Sequence, residues 1–355
     1  MNRRPGARNN RGRIADQSGA GANPLTIAAA NGVSLTTWLR SDASIVADGI
    51  LFQTAGTLGP AIGLNGSTAT VVGLRVEIDS TAGGTGLGQA TFRYSTDNGS
   101  TWIQSGVLTA ASVFLTGTAL GFELEFIAGT YNTNQVYKAV VAAQVDQTGN
   151  GHDFVHIQND STKTPIIETV GTYSGIPSAV FDGTDDFMVN TSIPALTQGS
   201  DVAFTVWLVC QVMSAAASNV VFSFGNSAQA GKDFHEFQYS NSGVWVHNRS
   251  DDAALLKQRT TPAASADLLK HRHQIVFTGT DILHSQDGGA DFTLGTSADL
   301  NVANCVWDLF TLGARGRNAV TVPLNVRYTE MVLMLGAASA QMKSQMQDYF
   351  AARYP

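Results

Sequence analysis

The sequence predicts an all-β protein closed by one C-terminal helix. Three observations carry that prediction. Short runs in which apolar and polar residues alternate recur along the chain, and this is the period of half-buried strands. Glycine occupies 36 of 355 positions while only 14% of residues are charged, as suits a chain with many tight turns. No helical period of any length precedes the final segment SAQMKSQMQDYFAARYP. A chain of this length has room for two domains with real cores. The net charge of −7 does not suit a nucleic-acid surface, so nucleic acid is not an expected partner. No apolar stretch approaches the ~20 residues of a membrane span, so no membrane partner is expected. The N-terminus lacks the apolar core of a signal peptide, and synthesis in a cytoplasm is expected.

Taken in order, residues 1–24 form a basic arm. Arg3, Arg4, Arg8, Arg11 and Arg13 stand against Asp16 alone, among Gly, Asn and Pro. Such a segment buries too little apolar surface to offset its ordering entropy. It is expected to order as an assembly anchor in an acidic groove of a neighbouring subunit, with a solvated tail as the plainer reading. Leu35 to Ile45 reads as a first strand. Residues 47–137 read as an inserted β domain, a small β-sandwich with runs at Thr70–Ile78, Gln89–Tyr94, Gly121–Ile127 and Gln135–Val141 between glycine-rich turns.

The stretch from Val145 to Val189 holds two polar turn clusters, Asp146 to Gly151 (DQTGNG) and Phe181 to Asp186 (FDGTDD), each feeding an alternating run. The order DQTGNG, then Pro165, then Gly175 to Asp186 resembles the opening of the concanavalin-A-like or laminin-G-like jelly-roll domains of bacteriophage virion proteins and bacterial surface proteins. The resemblance covers Leu25 to Ile45 and Lys138 to Pro355. It implies a concanavalin-A-like jelly-roll sandwich over residues 25–46 and 138–355, interrupted by the domain at 47–137. The function this implies is that of a bacteriophage virion structural protein: a capsid decoration, spike or tail-fibre component. It would be anchored through the arm to capsid or tail subunits, homo-oligomeric, and located in the virion after synthesis in the host cytoplasm. Because the same fold hosts lectins and hydrolases, the alternative is a carbohydrate-binding module for adsorption to a host-surface glycan. Within the insert, Ser95 to Trp102 (STDNGSTW) is similar to the Asp-box hairpin of sialidase propellers, a folding device in which Asp97 and Gly99 build the turn and Trp102 packs beneath it.

Candidate sites follow from residue types at strand spacing. The clearest hairpin runs from Asp233 to Tyr239 and returns as Val244 to Asn248, turning at Asn241 to Gly243. His235, Phe237 and Tyr239 share one face of its first strand, and Trp245 and His247 share one face of its second. Rings beside polar edges suit a sugar-binding platform; the competing reading is a core face. His271 and His273 lie on one side of a strand, as a metal pair needs, but no third ligand stands at a nearby spacing. Asp182, Asp185 and Asp186 offer oxygen ligands for calcium, or else form a structural turn. Cys210 and Cys305 sit in apolar runs and are expected as buried free thiols. Glu77/Asp79 and Glu123/Glu125 alternate as glycosidase carboxylates do, yet neither pair has a third carboxylate at the expected offset. No other catalytic motif appears, so neither an enzyme nor a cofactor is expected. Leu324 to Leu335 reads as a strand pair ending at Gly336. In the closing helix Ser339 is the N-cap, and Met342, Met346, Tyr349 and Phe350 form the stripe of a lid.

Overall fold

Strand Phe204–Val212 reads FTVWLVCQV, and a run so nearly apolar takes the middle of an antiparallel sheet with both faces covered. The structure, a computed structural model, describes residues 22–41, 45–65, 74–96, 99–115, 123–155, 165–168, 176–194, 202–214, 219–229, 231–263, 266–316, 320–321 and 323–355. On one side of the central strand lie Lys270–Phe277 and then Ile282–Gln286. On the other lies Asn325–Leu335, whose far edge is shared by Thr37–Arg40 and Ser178–Asp182. We call this the front sheet. The back sheet runs in the order Gly295–Thr296, Leu256–Thr260, Val244–Ser250, Phe234–Ser240, Asn219–Gly225, Leu309–Leu312, Met188–Asn190, Phe154–Val155. The facing sides meet in one hydrophobic core. Phe204, Leu208 and Phe277 come from the front sheet and Phe222, Phe224 and Phe310 from the back. Phe224 stacks on Phe310 at 4.2 Å and on Trp307 at 5.1 Å. The result is a jelly-roll β-sandwich.

Two strand expectations are corrected. The first strand is only Thr37–Arg40, because Ser41 turns the chain and Ile45 already belongs to the next strand. Asn325–Leu335 is one continuous strand, not a pair, since no turn residue interrupts it.

Strands Ile45–Ala55 and Val136–Gln144 carry the chain away from the sandwich and back, paired with each other as they go. Around them the order is Thr91–Ser95, Arg75–Ser80, Val136–Gln144, Ile45–Ala55, Ile62–Asn65, Glu123–Phe126. Gln104–Leu108 pairs with the first of these and Val113–Phe114 with the last, and only residues 109–112 separate the two. This short connection brings the sheet's two ends near each other; we refer to the curled sheet as the barrel, its edge strands Gln104–Leu108 and Val113–Phe114 not being paired with each other among the described residues. Its interior, including Ile62, Val76, Phe92 and Phe126, is continuous with the sandwich core. Val136–Gln144 runs on to meet Phe154 of the back sheet and Ile166 of strand Ile166–Glu168, the outer neighbour of Ser178–Asp182. The divisions expected after residues 46 and 137 fall inside strands that continue through them.

Two helices cover the front sheet's outer face. Helix α1, Pro24–Ala30, is capped by Asn23, whose side chain accepts from the Thr26 amide at 3.0 Å. Helix α2, Ala340–Arg353, is capped by Ser339 and buries Met342, Met346, Tyr349 and Phe350 against Trp38, Trp207 and Val332. Beneath α2 the buried Glu330 carboxylate accepts from Trp38 Nε1 at 2.6 Å, Tyr349 at 2.9 Å and Tyr354 at 2.5 Å, with Arg353 Nε 3.2 Å away. A buried charge is tolerable only when paired and fully hydrogen-bonded, and here four groups from two segments, the first strand and α2 with its C-cap, provide that.

Candidate functional site

The two motifs of the 145–189 stretch are structural knots. Asp146 accepts from the Trp38 amide at 3.0 Å, the Thr148 amide at 2.9 Å and the Thr148 hydroxyl at 2.6 Å, tying its turn to the first strand. Asn150 donates to the carbonyls of Leu35 and Thr36. In FDGTDD, Asp182 accepts from the Thr184 amide at 2.7 Å, and Asp186 accepts from the Asp182 amide at 2.8 Å. Gly183 has φ +79°, and a Cβ there would stand 2.7 Å from the Asn325 amide nitrogen. The carboxylate oxygens of Asp182, Asp185 and Asp186 lie within 4.8 Å of one another. Burial, reinforced by Asp182, pushes the Asp186 carboxyl up to about 7, so it sheds charge instead of adding to the cluster.

The hairpin singled out in the sequence is Phe234–Ser240 with Val244–Ser250, at the centre of the back sheet. His235, Phe237, Tyr239, Trp245 and His247 all point into the sandwich and are buried. Phe237 stacks on Trp245 at 5.1 Å and on His247 at 5.0 Å. These five side chains are therefore core, not a solvent-facing sugar platform; the face richer in rings is the one the sandwich buries. The imidazoles form a chain between the sheets. His247 Nε2 lies 3.2 Å from His284 Nδ1, and His284 Nε2 lies 3.1 Å from His273 Nδ1. Beside them the buried Arg249 guanidinium lies 4.4 Å from the Phe277 ring and 3.5 Å from His235 Nδ1. Burial holds His247 and His273 down at about 3, with the neighbouring His271 adding to the effect at His273. It holds His235 and His284 well below their ordinary value too, helped by Arg249 at His235 and by His247 and His273 at His284. All four are neutral at physiological pH.

The opposite face of the same hairpin carries a different set. Thr311, Ser223, Glu236, Asn248 and Gln258 stand directly opposite one another on five successive strands, in register. With strands ~4.8 Å apart, this polar row is roughly 19 Å long. Its members fix one another. Ser223 and Thr311 hydroxyls are 2.9 Å apart, Gln238 Nε2 donates to Glu236 Oε2 at 2.5 Å, and Gln258 Nε2 donates to Asn248 Oδ1 at 2.8 Å. Glu236 is fully buried, Gln238 is 7% exposed and Asn248 8% exposed, so the row is largely covered. Over it sits the short hairpin Arg315–Gly316 with Val320–Thr321. Arg315 pairs with Glu236, Nε to Oε1 at 2.7 Å and Nη2 to Oε2 at 3.1 Å. The Gly316 amide donates to Ser223 Oγ at 2.8 Å. At the far end Thr296 adopts φ +76°, a left-handed conformation costly for a β-branched residue, while the adjacent Ser297 hydroxyl accepts from the Gln258 amide. Among the described residues, Asn248 Nδ2 and Gln258 Oε1 carry no hydrogen bond. A donor and an acceptor thus remain side by side on ordered carboxamides.

The other candidate residues are dispersed. His271 is clamped between Asp287 at 2.6 Å and Asp267 at 2.7 Å, while His273 turns to His284, so the two do not converge on a metal. Cys210 and Cys305 are buried free thiols. Glu77 is engaged by Arg75 at 2.8 Å and Arg93 at 2.6 Å, and those guanidiniums lie over Trp102. Asp79 accepts from Thr91 and from the Gly106 amide, and Glu123 from Ser112. In the STDNGSTW hairpin Ser95 Oγ accepts from the Gly99 amide at 2.8 Å; Asp97 lies outside the described residues. The arginines Arg3, Arg4, Arg8, Arg11 and Arg13 also lie outside them.

No protein-family model matches this chain, and no curated protein matches it in sequence. Several solved structures are similar to part of this chain. The CBM40 of Ruminococcus gnavus IT-sialidase, bound to alpha2,3 sialyllactose, is 16% identical, with TM-score 0.36, over 46% of this chain and 86% of that one. A variant of the NanB sialidase from Streptococcus pneumoniae is 16% identical, with TM-score 0.38, over 46% of this chain and 27% of that one. The binding domain of Paraclostridial Mosquitocidal Protein 1 is 10% identical, with TM-score 0.42, over 58% of this chain and 50% of that one. At these TM-scores none of them assigns a residue or a ligand to this chain.

Proposed function

We propose that this chain is a glycan-binding module whose binding surface is the outer face of the back sheet, and that it acts without catalysis. One observation carries the reading: Asn248 Nδ2 and Gln258 Oε1 stand unpartnered among the described residues, side by side on a polar row whose other groups are already mutually bonded. Neighbouring hydroxyls of a sugar each donate and accept one hydrogen bond, and adjacent carboxamides match that pattern with little ordering cost left to meet on binding. Gln238, Thr260 and Arg315 flank the pair on the same face. The virion role came from the resemblance of the DQTGNG and FDGTDD stretches, with the basic arm as its anchor, and the arm's arginines lie outside the described residues; the glycan reading rests on a surface within them.

The test is a glycan array probed with the wild-type chain and with N248A/Q258A. Reproducible binding to one glycan class, lost in the double variant at unchanged melting temperature, is the expected result. A blank array with folded wild-type protein, or binding that survives the double substitution, would sink the assignment of this face.

A further inference from the structure

His271 lies beside the end of the imidazole chain, its ring 6.0 Å from that of His273, but its surroundings differ. It is buried, and each of its ring nitrogens meets a carboxylate: Nδ1 lies 2.6 Å from Asp287 Oδ2, and Nε2 lies 2.7 Å from Asp267 Oδ1. A neutral imidazole has one N–H and one lone pair, so it donates to one of two carboxylates and turns its lone pair on the other. Only the imidazolium satisfies both. Gln286 Nε2 also stands 2.9 Å from Nδ1, but Asp287 is nearer and charged. Cys210, directly opposite on the central strand, is a buried free thiol, and His273 is neutral. Lys270 and Arg272, the neighbours of His271 in its strand, alternate to the other face. Burial alone would lower the His271 imidazole; the hydrogen bonds from Asp287 and then Asp267 outweigh it and hold the group above its ordinary value.

The two carboxylates belong to different segments. Asp287 follows strand Ile282–Gln286 and is fixed there independently of the ring, accepting from the Arg272 amide at 2.9 Å with Arg272 Nε 3.5 Å from the same oxygen. Asp267 belongs to residues 266–269, which lead into strand Lys270–Phe277 and bridge the two sheets. On one side the Ala266 amide donates to the Gly243 carbonyl of the back-sheet hairpin at 3.1 Å, and on the other Gln211 Nε2 of the central strand donates to the Leu268 carbonyl at 2.9 Å. The Asp267 carboxylate is half-exposed and also accepts from the Leu269 amide of its own segment. Loss of the ring proton therefore falls on Asp267: Asp287 is held in place, whereas Asp267 can turn into water and carry its segment with it. We infer that Asp267, His271 and Asp287 form a pH-operated clasp, which holds residues 266–269 across the end of the sandwich while the ring is charged and releases them when it is neutral. The clasp is closed in acid and opens as pH rises through the ring's folded-state value, the opposite sense to the neighbouring imidazoles. Behind it stand Gln286 and Trp245, joined by the indole N–H at 2.9 Å, so release opens this end of the interior to water.

The test is NMR on the full chain between about pH 6 and about pH 9, spanning the ordinary imidazole value and the range above it. The ¹⁵N shifts of the His271 ring report its protonation. Hydrogen exchange of the Ala266 amide reports the segment, expressed as protection relative to the intrinsic rate so that base catalysis cancels. At the acid end the ring should carry both protons, and Ala266 protection should fall by about tenfold or more as the ring titrates, the scale of one charge-assisted hydrogen bond. H271Q should show a flat Ala266 profile at the wild type's alkaline level. D267N, at a half-exposed position, tests the same point without touching the interior: it should move the ring's titration to lower pH and flatten the Ala266 profile. A ring already neutral at the acid end, a ring still charged at the alkaline end, or Ala266 protection that ignores the ring's titration overturns the inference. So does a D267N ring that titrates as the wild type does.

Discussion

Acidification should unfold this protein through its buried imidazoles, and the size of the effect follows from the sandwich interior. His247 and His273 are held down at about 3 by burial, against about 6.5 for an imidazole in an unfolded chain. Folded-state values below the unfolded ones mean that the unfolded chain binds more protons between those limits. The contribution of each group is therefore fully present above about pH 6.5 and is lost as pH falls towards about 3. At about pH 5 each of the two costs about 2 kcal/mol, so together they remove about 4 kcal/mol of stability. His235 and His284 act in the same direction. His271 acts the other way: its partial burial lowers it, but Asp287 and Asp267 outweigh burial and raise it overall. Asp186, raised by burial and then by Asp182, also opposes the trend. A difference measurement removes both of these, because they are common to wild type and variant. The experiment compares wild type with H247Q/H273Q by denaturant unfolding at about pH 7.5 and about pH 5, where the double variant should lose about 4 kcal/mol less than wild type. Parallel losses in the two proteins would refute the argument and show that these imidazoles are protonated in the folded state or reach water.

Three further expectations come from single residues. Glu330→Ala leaves Trp38, Tyr349, Tyr354 and Arg353 without their common acceptor, and should cost about 3–5 kcal/mol by denaturant unfolding, with Glu330→Gln costing clearly less. D186N removes a carboxyl whose folded-state value, about 7, exceeds its unfolded one, so the wild type loses stability as pH rises between those values. The variant should accordingly be the more stable protein at about pH 8, by up to about 4 kcal/mol, and the gap should close below about pH 4 in a pH series of melting curves. W245A empties part of the core and should lower stability by about 3–5 kcal/mol, whereas N248A, on the opposite face of the same strand, should change it by about 1 kcal/mol or less.

That last contrast also marks how far the sequence could be read. The hairpin itself, its turn at Asn241 to Gly243 and its alternation were plain in the residue string. Which face turns inward was not, because His235 and His247 carry polar atoms that suggest solvent. Sheet geometry allows only two choices, and the face with Phe237, Tyr239 and Trp245 has far more apolar area to bury than the one with Glu236, Gln238 and Asn248. Comparing the two faces, instead of noticing the rings, was the available signal. The DQTGNG turn and the stripe of α2 were legible because each is a local pattern. The ladder from Thr311 to Gln258 was not, since its members come from five strands and only strand register aligns them. Helix α1 had its Asn23 cap and its leading Pro24, but seven residues show too little period to be recognised. In the barrel, Gln104–Leu108 escaped notice because it is exposed along nearly its whole length and shows no alternation.

The strand Val136–Gln144 has a consequence for how the molecule comes apart. It pairs within the barrel at one end and with strands of the sandwich at the other, and the two interiors share one continuous core. Neither half can let go of that strand without exposing the other's hydrogen-bonding edge. Barrel and sandwich should therefore melt as one cooperative unit, with a calorimetric enthalpy equal to the van't Hoff value, and a protease should find no stable fragment between them.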